Sequence, residues 1–180
     1  MQNNGLIWGK NLSNPLNSMS LETEIGQEKF RNAYHRAIIN IFYTNNYLVD
    51  KMNGVFKAFD ITRQQYNVLR ILRGQNPKPV SINYIKEHML DKMSDASRIV
   101  ERLKDKELLE RRNCTEDRRT VEVSITAKGL GLLEKMDEPV NSFEELFRAL
   151  TEEEVAHLNN LLDRVRSRST VLLRGSLSRS

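Results

Sequence analysis

Residues 116–129 read Glu-Asp-Arg-Arg-Thr-Val-Glu-Val-Ser-Ile-Thr-Ala-Lys-Gly. Within them Val121, Val123 and Ile125 alternate with Thr120, Glu122 and Ser124, the period of two that puts one side of a strand on a core and the other toward water. The charged run at residues 115–119 lies just before them, so the stretch predicts a β-hairpin with a basic tip. After Ile125 the period turns helical. Thr126 is placed to cap a helix carrying Leu130, Leu133 and Met136. Pro139, which has no amide donor, is expected to kink or break it before Phe143, Leu146 and Phe147.

Upstream of the hairpin the pattern is helical with short gaps. Ser81 opens a helix whose apolar stripe is Ile82, Ile85 and Met89. A glycine-free turn, Leu90-Asp91-Lys92-Met93, follows. Ser94 is then placed to cap a helix with Ala96, Ile99, Val100 and Leu103 on one face. Two short helices joined by a tight turn predict a helix-turn-helix. Before them, Thr62 and Gln65 have capping-box spacing, Ile61 can staple onto Tyr66, and Tyr66, Leu69 and Leu72 form the apolar face. Gly74, Pro77 and Pro79 then require an extended connection.

Outward from this centre, Tyr34, Ile38, Ile41, Asn45, Leu48, Met52, Val55 and Phe59 recur at gaps of four and three. One long helix would present them as a seam to a partner. Thr151 and Glu154 form a second capping box ahead of Leu158, Leu161, Leu162 and Val165. The fold expected is mainly α with a small β-hairpin wing, a winged helix-turn-helix flanked by N- and C-terminal dimerisation helices. Its divisions are a flexible tail at 1–20, a dimerisation helix at 21–60, the DNA-binding region at 61–126, dimerisation helices at 127–174 and a tail at 175–180.

The stretch from Glu116 to Gly129 resembles the wing signature of the MarR (multiple antibiotic resistance regulator) family: an acidic-Asp-Arg-Arg tip, an alternating strand, a Thr and a Lys-Gly pair. Ser97-Arg98-Ile99-Val100-Glu101-Arg102-Leu103 is similar to that family's recognition helix. Ile61-Thr62-Arg63-Gln64-Gln65-Tyr66 is similar to the start of its second helix. By eye the resemblance runs over residues 30–165. It implies a homodimeric regulator of transcription that binds a near-palindromic double-stranded DNA operator, with repression relieved by a small aromatic effector. Three departures stand out: Glu107 occupies a position where the family usually has Gly, the turn Leu90-Asp91-Lys92-Met93 lacks the Gly often found in helix-turn-helix corners, and Asp95 and Glu101 add negative charge near the DNA face.

The residues also argue for DNA on their own. Asp95, Arg98 and Arg102 fall on the helix face opposite Ala96, Ile99 and Leu103, so one side packs while the other can meet a groove. With Ser94 and Ser97 they form the expected major-groove set. At the wing, Asp117, Arg118 and Arg119 are the expected contacts: Arg119 suits a narrow A·T minor groove, and Asp117 can hold its guanidinium. The total of 28 Lys and Arg against 24 Asp and Glu, net +4, is compatible with a polyanion.

Ile38, Ile41, Leu48, Leu158 and Leu162 are the expected dimer contacts. Phe42, Tyr43, Tyr47 and Tyr66 are candidate linings of an effector crevice, although aromatics at helical spacing more often belong to a core. Cys114, the single cysteine, lies near several arginines that would lower its pKa, or is an inert strand thiol. His35, His88 and His157 lack metal-ligand spacing, and no nucleophile set or phosphate-binding glycine loop occurs. No metal, cofactor or catalysis is therefore expected. No stretch approaches the ~20 apolar residues of a membrane span, and a cytoplasmic address is expected. The alternative reading is a winged-helix docking module whose basic wing meets an acidic protein.

Overall fold

A computed structural model describes residues 20–113 and 121–176, with side chains over 20–112 and 121–167. The tails' remaining positions, Cys114, and the wing residues Asp117, Arg118 and Arg119 lie outside the described residues. The chain divides into two compact units, residues 1–50 and 51–180.

In the first unit, Ser20 caps the short helix α1 (Leu21–Ile25) by accepting the Thr23 amide. Gly26 ends it at φ 66°, where a side chain would be strained. Helix α2 (Ala33–Ala58) begins in this unit, where Asn32 accepts the His35 amide at 2.9 Å. The stretch read as one helix from 21 to 60 is thus two helices. Arg36 grips Glu22 with a fork, Nε to Oε1 at 2.6 Å and a terminal nitrogen to Oε2 at 3.3 Å. That hydrogen bond is the main cause holding the Glu22 carboxyl down at about 2.

The second unit contains a three-stranded antiparallel sheet, in the order β1 (Val80–Ser81), β3 (Val121–Ile125), β2 (Leu109–Asn113). Leu109 pairs with Ile125 and Asn113 with Val121, the hairpin expected from the alternation. The strand Val80–Ser81 is an addition to it: Val80 pairs with Val123 on β3's other edge.

Around the sheet lie α3 (Arg63–Gln75), α4 (Ile82–His88), α5 (Ala96–Asp105) and α6 (Ala127–Asn141), followed by a 3-10 helix (Ser142–Phe147) and α7 (Glu152–Ser176). Val68, Leu69, Ile85, Val100, Leu103, Val123, Leu133 and Met136 are buried at its centre. Thr62 and Gln65 form the capping box of α3, and Thr151 and Glu154 exchange the corresponding bonds at α7.

One expectation holds and one is corrected. Helix α6 does end before Phe143, two residues past Pro139, at Asn141. The missing donor falls in its last turn, after which the chain tightens into the 3-10 helix, with the Ser142 hydroxyl donating to the Pro139 carbonyl at 2.7 Å. The seam read along the long helix is divided. Its last positions, Met52 and Phe59, pack on the core of the second unit beside the buried Phe56, which is off the seam. In the first unit, by contrast, Tyr34, Ile38 and Ile41 stand exposed.

The Thr126-Ala-Lys128-Gly129 run acquires a structural reason. Helix α5 ends in a Schellman closure: the Leu108 amide bonds the Leu103 carbonyl at 3.0 Å, and the Glu107 amide bonds that of Lys104 at 2.8 Å. Glu107 sits in the left-handed region at φ 61°, so the position calls for the conformation glycine adopts most freely although the residue is Glu. Thr126 Oγ1 donates to the Glu107 carbonyl at 2.8 Å, and Lys128 Nζ pairs with the Glu107 carboxylate at 2.7 Å. A Cβ on Gly129 would lie 2.2 Å from the Leu108 carbonyl oxygen. Cap, cation and glycine thus all dock on one corner.

Candidate nucleic-acid interface

The recognition helix is α5. Its first turn is set one residue later than expected: Asp95, not Ser94, is the N-cap, accepting the Arg98 amide at 3.1 Å. Both residue types cap well, and Asp91 decides between them. Asp91 Oδ2 accepts the Ser94 hydroxyl at 2.7 Å while Oδ1 accepts the Met93 amide at 3.0 Å. The Ser94 hydroxyl bond leads the causes that hold the Asp91 carboxyl below its ordinary range. The buried Asn67 adds an anchor, its Oδ1 accepting the Leu90 amide at 2.9 Å. A turn without glycine is therefore held by two side chains, Asp91 and Asn67, that sequence reasoning passed over. Asp91, a residue type whose side chain accepts the amide two residues on in an Asx-turn, here that of Met93, was the available signal.

Beyond the cap, Ala96, Val100 and Leu103 are buried while Ser97, Arg98 and Arg102 are exposed. Ser94 is half-buried. Neither Arg98 nor Arg102 makes an ion pair among the described residues. Asp95 and Glu101 are both engaged. Asp95 is committed to the cap, and Glu101 is paired with Arg111 of β2 and lies 3.7 Å from Lys104. The Arg111 bond is the main cause lowering the Glu101 carboxyl. The exposed face of α5 offers two guanidinium groups that have no ion pair among the described residues, the donor type that pairs with guanine edges and phosphates.

The candidate effector residues fall in both units. In the first unit, Tyr43 and Tyr47 line a cleft of about 440 Å³ with Arg36, Asn40 and Glu24. Desolvation, then the Glu24 charge, pushes the Tyr43 phenol up. Phe42 is exposed and is not among that cleft's lining residues. Tyr66 packs in the second unit, its ring 5.1 Å from that of the buried Phe56. Of the expected dimer contacts, Ile38, Ile41 and Leu158 are exposed, whereas Leu48 and Leu162 are half-buried in the single chain. Among the described residues no group of three or more His, Cys, Asp or Glu could hold a metal, and no helix is long and apolar enough to cross a membrane.

A model of the MarR family matches residues 59–120, the helix-turn-helix and the first part of the wing. Over 131 residues the chain is 33% identical to the HTH-type transcriptional repressor IacR of Pseudomonas putida, covering 72% of this chain and 74% of that one. The chain belongs to the MarR family. Among solved structures, a MarR transcription factor from Planctomyces limnophilus matches with a TM-score of 0.57 at 29% identity, covering 77% of this chain and 98% of that one. The S. aureus MepR–DNA complex matches with a TM-score of 0.68 at 22% identity, covering 78% and 99%, a likeness of fold alone. As a MarR-family member the chain is a winged-helix transcriptional regulator, and these relatives do not favour a docking module. The family match ends within the wing and excludes all of α2, α6 and α7.

Proposed function

We propose that two copies of this MarR-family chain pair and bind a near-palindromic DNA operator in the cytoplasm, repressing transcription until a small aromatic effector shifts the dimer to a spacing that misfits the DNA. The α5 helices enter successive major grooves ~34 Å apart, with Ser94, Ser97, Arg98 and Arg102 toward the DNA and Asp95 serving mainly as the cap that aims them. The wing residues Asp117, Arg118 and Arg119 lie along the flanking minor grooves. The observation that carries this reading is the two-sided α5: a buried Ala96, Val100 and Leu103 face opposite two exposed arginines that make no ion pair among the described residues. Repression is favoured by the name of the P. putida relative.

Pairing runs through the exposed stripe of Ile38 and Ile41 and through Leu158 of α7, with Leu48 and Leu162 at its margin. The effector site is the cleft holding Tyr43 and Tyr47, where Glu22 already occupies the Arg36 fork. A carboxylate effector would compete with Glu22 there.

Fluorescence anisotropy on DNA from the gene's upstream region, against a scrambled duplex across a salt series, tests the DNA reading. Selective binding with a steep negative salt slope is expected. Arg98→Ala should relax discrimination at one major-groove position by roughly 1–3 kcal/mol, and Arg119→Ala should weaken the A·T preference. Equal binding to both duplexes, unchanged in both variants, would overturn the proposal.

A further inference from the structure

Met93 is 93% exposed, more than any other large hydrophobic residue among those described. A single exposed apolar side chain is ordinary on a protein surface, but the distribution here is not even. Of the exposed large hydrophobics, all but Leu90 and Met93 lie on α2 or between Leu146 and Val165, in the regions that the proposed dimer draws on. Leu90 and Met93 both sit on the short turn that leads into α5.

That turn is also held firmly. The Met93 amide is bonded to Asp91 Oδ1 at 3.0 Å, the Ser94 hydroxyl to Asp91 Oδ2 at 2.7 Å, and the Leu90 amide to the buried Asn67 at 2.9 Å. Met93 lies two residues before the Asp95 cap, continuous with the exposed Ser97 and Arg98. A recognition helix approaches base edges with its N-terminal residues, so the Met93 side chain projects from the leading end of the reading surface. It carries no charge or strong donor for a phosphate. Its unbranched thioether can adapt its shape to an apolar target. The apolar feature that a base pair shows in the major groove is the thymine C5-methyl group.

We propose that Met93 is a specificity residue that reads a thymine methyl in each half-site of the operator, with Asp91 as the positioning residue that presents it. This rests on the DNA-binding reading above and adds a base preference that the arginines, which favour guanine, do not supply.

The test replaces thymine with deoxyuracil, which removes the methyl and leaves every Watson–Crick bond in place. A duplex is first recovered by the wild-type protein from a randomised pool, then each thymine in the half-site is replaced in turn. Wild-type affinity should fall about fourfold at one thymine per half-site, the value of one buried methyl-sized group. Met93→Ala, which removes the contact from both half-sites, should bind the unmodified duplex about sixteenfold more weakly and show no response at that thymine. Met93→Leu, which keeps apolar surface, should restore the response. Because the side chain is exposed, all these variants should fold as the parent does.

Wild-type insensitivity at every thymine, or Met93→Ala responding as strongly as wild type at each of them, would overturn the proposal. The DNA-binding reading would survive that result provided Arg98→Ala still impaired selective binding. Recovery of no enriched duplex by the wild type would sink both.

Discussion

Helix α3 and the first half of α2 are both amphipathic, yet they end in opposite conditions. In its 13 residues α3 buries Val68, Leu69, Ile71 and Leu72, together with the polar Gln65 and Asn67. Between residues 33 and 50, α2 buries none, and leaves Tyr34, Ile38, Ile41, Phe42 and Tyr47 exposed. Helix stability in water comes chiefly from packing an apolar face, not from propensity. The second unit therefore supplies its own core around α3, while the exposed run of α2 has the composition of an interface still to be covered. The same contrast holds within the second unit, between the filled helix-turn-helix and the exposed Leu158, Leu161 and Val165 of α7.

The largest effect that sharpens this contrast is in the core. Leu69→Ala should cost about 2–5 kcal/mol in chemical denaturation, because Leu69 is fully buried and the cavity cannot collapse freely. A loss under about 1 kcal/mol would mean that the core is looser than its burial indicates. On the other side, Ile38→Glu should leave each chain folded and raise the dimer dissociation constant by about tenfold to a hundredfold, since pairing would bury a charge without a partner. Sedimentation across a concentration series reads this directly, and an unchanged dimer would remove Ile38 from the interface.

Much of this was legible from the residues. Alternation from Val121 to Ile125 gave the hairpin, and the threonines at 62, 126 and 151 gave three helix starts, because both signals are local. What the pattern missed depended on groups distant in sequence. Val80 and Ser81 form a strand because β3 has a free edge, and two residues between a proline and a helix carry no periodic signal. Ser94 and Asp95 are equally good caps, and the choice rests on the Asp91 carboxylate. The heptad-like seam of α2 fixes a stripe but not what covers it, so Met52 and Phe59 on the core could not be told from Ile38 and Ile41 in the open. The site arginines of α5 were readable because helix phase alone separates them from Ala96, Val100 and Leu103. The wing arginines rest on the motif.

Smaller effects follow within each region. Glu107→Gly should stabilise the second unit by up to about 1 kcal/mol, as relief of the left-handed conformation outweighs a more flexible unfolded chain and an exposed Lys128 pair. A destabilised variant would show instead that the Lys128 contact dominates. In the first unit, Glu22 should titrate at about 2, well below the ordinary 4.5. A depressed carboxyl contributes stability above its unfolded value and loses it as pH falls through the folded one, so the Glu22–Arg36 tether weakens only between about 4.5 and 2. A carboxyl-resolved NMR titration checks this, with Arg36→Ala expected to return Glu22 toward its ordinary value.

Native mass spectrometry of the full chain on its upstream duplex, with free chain alongside, bears most directly on the central contrast between a self-sufficient reading lobe and helices that need a second copy. The account predicts two chains per duplex and a dimer in the free protein, with both species lost together in Ile38→Glu. A single chain bound selectively to the duplex, or a free wild-type protein that is monomeric, would contradict it.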